Sequence, residues 1–140
     1  MAKTIFERLQ YIDSLPKEKD RINALQNIIG KSAIKSLLDY AFNSKLVFTL
    51  PEGIPPFTKL DRSISAHSRL DQEERKLYIF IKGNAPGLTN TRKEVLFVQI
   101  LESVDPQDAI LLCDIKDKKL PFKNITKKLV QKAFPTLIKE

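Results

Sequence analysis

The stretch VLFVQILESVDPQDAILLCDIKDKKLPFKNITKKLVQKAFP, residues 95–135, decides the fold. Its first part, from Val95 to Val104, is apolar on nearly every side of a helical projection, the pattern of a helix surrounded by others. Asp105 then offers a side-chain acceptor to the backbone donors of a new helix, Pro106 suits the first helical position, and Asp108 places negative charge in the first turn. This second helix carries Ile110, Leu111, Leu112 and Ile115 on its apolar side. Lys116, Lys118 and Lys119 fall at its end, where the helix dipole favours cations. Leu120-Pro121-Phe122-Lys123 reads as a turn and Asn124 as the cap of a last helix. There Ile125, Leu129 and Phe134 face inward, while Lys128, Gln131 and Lys132 face outward. Two short helices joined by a tight turn, the second with a basic outer face, also trace the outline of a helix-turn-helix.

Upstream, apolar residues recur with helical spacing in three stripes: Ile5, Leu9, Ile12; Ile22, Leu25, Ile29; and Ile34, Leu37, Leu38, Ala41. Pro16 suits the first turn of the second helix and Gly30 the position just past its end. Residues 45–50 are apolar and β-branched enough for a short strand, and the prolines at 51, 55 and 56 exclude a helix there. Residues 46–70 therefore read as one long irregular connection, its first half apolar and packed, its second half polar and mobile. Asp71 and Glu74 have the spacing of a capping pair ahead of Leu77, Phe80 and Ile81, in a short helix ending at Gly83. Thr91 and Glu94 have capping-box spacing ahead of Val95, and Thr89 offers an earlier start. The expectation is all-α: one domain, residues 1–140, a compact bundle of about six or seven short helices around the central apolar helix 95–104.

The length of 140 residues and 42% apolar content suffice for a core without staples. No apolar run approaches the roughly 20 residues of a membrane span, and the opening residues show no secretory pattern. No membrane association is therefore expected. Cys113 stands alone in the apolar run 110–115, the setting of an inert buried thiol, and His67 has no neighbouring ligand. The chain lacks a nucleophile elbow, a glycine-rich phosphate loop, paired histidines and a CxxC. Its acidic clusters, Asp71/Glu73/Glu74 and Asp105/Asp108, sit at helix starts, where carboxylates satisfy backbone donors. The expectation is a non-enzyme, with no catalytic residue, metal or cofactor.

Charge is the one strong compositional signal. The net charge is +7, and residues 114–140 hold eight basic and three acidic groups, most of the excess. Such a field attracts anions. Lys116, Lys118, Lys119, Lys123, Lys127, Lys128 and Lys132 are the candidate phosphate contacts of a nucleic-acid-binding surface. The alternative is an adaptor that anchors a protein partner through the proline-rich loop 51–57, the lysines being only solubilising.

The segments 50–57 (LPEGIPPF), 96–104 (LFVQILESV) and 116–126 (KDKKLPFKNIT), with Ala133-Phe134-Pro135, resemble a family of small, functionally uncharacterised proteins of tailed bacteriophages, including T4-like phages of marine cyanobacteria. The resemblance implies a phage origin and a bacterial host cytoplasm. It makes nucleic-acid metabolism or takeover of a host protein the natural roles, and it brings no catalytic residues with it.

Overall fold

The computed structural model describes residues 4–58 and 69–138. Among them the chain forms seven α-helices and one 3₁₀ segment, with no strand and one isolated antiparallel bridge, Phe48 to Ile81. The short strand expected at 45–50 is reduced to that bridge, flanked by Thr49 N–H donating to Phe80 O and Lys82 N–H to Val47 O. His67 and most of the polar half of the long connection lie outside the described residues.

Helix α1 (Ile5–Asp13) begins with a complete capping box, the Thr4 hydroxyl accepting from Glu7 N–H and the Glu7 carboxylate from Thr4 N–H, and it buries Ile5, Leu9 and Ile12. Helix α2 (Glu18–Gln26) buries only Leu25, and Ile29 is 79% exposed, so the second stripe contributes less to the core than its spacing suggested. The helix stops at Gln26. Gly30, with φ +78°, instead opens α3 (Lys31–Phe42), whose Ile34, Leu37, Leu38 and Ala41 are all buried. Helix α4 (Leu70–Glu73) runs directly into the 3₁₀ segment Glu74–Phe80. The capping pair expected at Asp71 and Glu74 does not form: the helix begins after Arg69, without a side-chain cap.

Helix α5 (Asn90–Ser103) is capped by Thr89, which accepts from Arg92 N–H. Helix α6 (Pro106–Lys116) is capped by Asp105 with Pro106 at its first position, and α7 (Lys127–Ala133) by Thr126. Asn124, expected as that last cap, is used elsewhere: its N–H and side-chain amide hold Asp13 Oδ1 and Asp13 O at 2.7 and 2.8 Å.

The all-α bundle is as expected, but its centre is α6. That helix packs against α1, α3 and α5 and buries Ala109, Leu111, Leu112, Cys113 and Ile115. Burial of each of the larger aliphatic side chains contributes about 1.5–3 kcal/mol. Residues 95–104 pack on α6 with one side only: Phe97, Ile100, Leu101 and Val104 are buried, while Val95 is 43% exposed and Gln99 is open to solvent. Phe97 is this helix's anchor, meeting Phe80 edge-to-face with ring centres 5.4 Å apart. Burial pushes the Cys113 thiol up to about 11, so it stays protonated at neutral pH, as an inert core thiol should.

Helix α6 begins with a buried charge. Asp108 Oδ1 accepts from Phe6 N–H at 2.8 Å and Oδ2 from Ile5 N–H at 3.4 Å, so a carboxylate in the first turn of α6 also serves the first turn of α1. Burial raises its pKa to about 6 against those two hydrogen bonds, with the Asp105 charge adding to the rise and Arg8 opposing it. A carboxyl whose folded pKa exceeds its unfolded value holds its proton more tightly when folded. Its contribution to stability therefore grows as pH falls through 6 and levels off below about 4. Wild type should gain about 2 kcal/mol over Asp108→Asn between pH 7 and pH 4.5, read from urea unfolding at each pH. Asp108→Ala, which strands two backbone donors, should cost about 1–3 kcal/mol at pH 7 and about 2 kcal/mol more at pH 4.5, because alanine has no proton to gain.

Candidate nucleic-acid interface

The seven lysines proposed from sequence divide into two groups. The first is committed to holding the chain together. Lys116, the last residue of α6, has a side chain only 2% exposed. Its ammonium donates to Pro51 O at 2.7 Å and Gly53 O at 3.0 Å and pairs with Asp117. Three donors meet three acceptors, which leaves nothing for a phosphate and corrects the expectation for this residue. Asp117 completes the clasp, its Oδ2 accepting from Gly53 N–H at 2.9 Å.

Lys118 adopts φ +57° just past the end of α6. Its N–H bonds Ile115 O and the Lys119 N–H bonds Asp114 O, which closes a Schellman motif. The Lys118 side chain reaches the C-terminal end of α3, donating to Tyr40 O at 2.6 Å and Asn43 O at 2.9 Å, where the helix dipole favours a cation. Lys119 pairs with Glu52 at 2.7 Å; both are exposed, and the Glu52 hydrogen bond and charge raise the lysine's pKa. The end of α6 is thus a clamp on the loop 51–53 and on the end of α3.

The second group lies outside the clamp. Lys123, Lys128 and Lys132 are exposed and Lys127 is half-buried. The helix-turn-helix outline does not describe their setting, because α7 packs chiefly on α2. Gln26 Nε2 donates to Ala133 O at 3.0 Å, Lys132 pairs with Glu18 at 2.7 Å, and Lys35 Nζ stands 5.4 Å from the centre of the Phe134 ring. The Glu18 carboxyl is held below its ordinary value by the hydrogen bond and charge of Lys132, then by the charges of Arg21 and Lys128. That ordering places three cations around one carboxylate. Exposed Lys17 and Lys19, flanking Glu18 in the chain, extend the basic surface onto α2.

Sequence reading passed over the α2 cations because nothing local ties them to residues 123–132; only packing across more than a hundred positions does. The face can hold anions through mobile ammonium groups, with Glu18, Asp20 and Asp13 tempering its charge. Among the described residues no group of His, Cys, Asp and Glu has the arrangement of a metal site, and no helix is long and apolar enough to cross a membrane.

Within the first group the buried and the exposed lysine should respond differently to mutation. Lys116→Ala leaves Asp117 and two loop carbonyls without their cation and should cost about 3 kcal/mol in urea unfolding. Lys119→Ala, an exposed pair, should leave the unfolding midpoint within error.

No curated protein and no solved structure matches this chain. A family model described as Family of unknown function (DUF6433) matches residues 9–121, from α1 to the turn before α7, and the chain belongs to that family.

Proposed function

We propose that this is a nucleic-acid-binding accessory protein, phage-encoded and acting in the host cytoplasm, that contacts phosphates through the joint face of α2 and α7. The observation that carries this reading is the docking of α7 on α2, which brings Lys128 and Lys132 beside Arg21 around Glu18, with Lys123 and Lys127 on the α7 side and Lys17 and Lys19 on the α2 side. Cations assembled from both ends of the chain onto one packed pair of helices form a denser positive field than either segment carries alone. Phosphate contact of this kind is sequence-independent, and each contact adds to the salt dependence of binding. Lys116, whose three donors are already used, takes no part. The role is binding, without catalysis.

One observation favours the adaptor reading: Ile54 is 54% exposed on a loop whose backbone is clasped by Lys116 and Asp117, so an apolar side chain is presented from a fixed support. A shallow cleft of about 320 Å³ lies beneath it, lined by Leu50, Pro56, Glu94 and Phe97 among others. A host or phage protein would be the partner.

Fluorescence anisotropy with labelled single- and double-stranded oligonucleotides across a salt series separates the readings. Wild type should bind saturably, with affinity falling steeply as salt rises. Lys19→Glu/Lys123→Glu/Lys128→Glu should lower the slope of log K against log salt by about 3 while leaving the unfolding midpoint unchanged. Absence of binding at low salt would discard the nucleic-acid reading and leave the Ile54 loop as the surface to pursue.

A further inference from the structure

A second site lies apart from the basic face, in a cleft of about 340 Å³ between the 3₁₀ segment and α5. Its apolar lining is Ile79, Phe80, Leu96 and Ile100, and Glu73 stands among them. Glu73 is only 7% exposed, a carboxylate set in largely apolar surroundings. Lys76 Nζ approaches Oε2 to 2.6 Å, an ion-pair distance, but not along a hydrogen-bond direction, so this buried oxygen lacks an aligned donor. A buried carboxylate oxygen without a donor is costly and favours any group that supplies one. Lys76 holds it loosely: its side chain is 61% exposed and returns to water with little loss.

The surroundings indicate what replaces it. The volume is at the small end of ligand pockets, about 300–1,000 Å³, and suits one long side chain. The chemistry required is a cation at the tip, for Glu73, on an apolar stem, for Ile79, Leu96 and Ile100. Tyr78 on the cleft's rim is 57% exposed, and Gln99 and Ser103 line it beside Ile100. An exposed aromatic ring at the mouth of a small charged pocket is what the chain flanking an inserted side chain would cover. Arg75, the other cation lining the cleft, is exposed, its Nε turned to Gln72 O at 3.3 Å, and its charge is screened by solvent.

We propose that this cleft receives an arginine side chain from a partner polypeptide, the guanidinium displacing Lys76 and donating to Glu73 while its stem packs on Ile79, Leu96 and Ile100. The fork of the guanidinium supplies the aligned donor that the lysine does not. Lys76 thus acts as an internal competitor for the site.

The test is a titration of a blocked leucine–arginine–leucine peptide, and of the same peptide with neutral citrulline, followed by the methyl NMR signals of Ile79, Leu96 and Ile100. The arginine peptide should shift these signals saturably, and citrulline should bind at least about tenfold more weakly, the loss of one charge-assisted hydrogen bond. Lys76→Met, its folding checked by urea unfolding, should tighten arginine binding several-fold, and Glu73→Gln should weaken it about tenfold. Equal binding of the two peptides, no tightening in Lys76→Met, or no shift of these methyl groups would overturn the proposal. None of these outcomes depends on nucleic-acid binding, since the cleft shares no residue with the α2 and α7 face.

Discussion

Helix α6 carries two buried charges of opposite sign, Asp108 in its first turn and Lys116 at its last residue, and the arrangement of the other elements depends on them. Each sits at the end of the helix that its charge suits, the carboxylate near the positive pole and the ammonium near the negative. Each also reaches a segment distant in sequence. Asp108 takes the first backbone donors of α1, and Lys116 takes two carbonyls of the loop 51–53. A buried charge without partners would be among the most costly features of a small core; one whose partners are backbone groups of another segment makes any other placement of that segment costly instead. The aliphatic residues of α6 supply the burial energy. The two charges decide what is docked at either end.

This explains which parts of the fold were legible in the sequence. Local patterns were: the stripes of α1 and α3 and the Asp105-Pro106 start of α6 are properties of neighbouring residues and appear in the structure as read, while α5 takes the earlier of its two offered starts, Thr89, which leaves Thr91 inside the helix. Centrality was not. The run from Val95 to Leu101 is more continuously apolar than α6, yet Val95 faces solvent while Asp108 and Lys116 are inside. Apolar content measures what can be buried at no cost. The most enclosed helix here also buries polar residues that find hydrogen bonds, and those bonds lie 63 to 103 positions away. Asn124 shows the same principle in a loop, reading as a cap by position and serving Asp13 across the bundle.

The candidate site divides along the same line. A count of lysines treats Lys116 and Lys128 alike, but an ammonium buried among carbonyls and a carboxylate is not available to a ligand. Lys116 and Lys118 meet the loop 51–53 and the end of α3, so the C-terminal charge excess includes cations that work as internal fastening. Lys128 and Lys132 of α7 remained on the surface, as their alternation with Ile125, Leu129 and Phe134 indicated. The contribution of α2 lay hidden, because residues 17–21 and 123–132 become neighbours only through tertiary packing.

That packing bears on how the face would work. Helix α7 has seven residues, too few to be stable alone. It is held by the Gln26 amide at its C-terminal end, by the Lys132 pair with Glu18, and through the grip of Asn124 on Asp13 just before it. Its lysines therefore stand on a fixed support while their ammonium groups remain mobile, so in the proposed role the cost of ordering the backbone is already met when a phosphate arrives. Glu18 limits the gain. It lies among Lys132, Arg21 and Lys128 and competes with a phosphate for the same cations, and the outcome of that competition depends on how many phosphates a chain presents at once. A polyanion that spans both helices can displace Glu18 where a single anion cannot. A face built in this way favours extended nucleic acid over free phosphate through the position of one carboxylate.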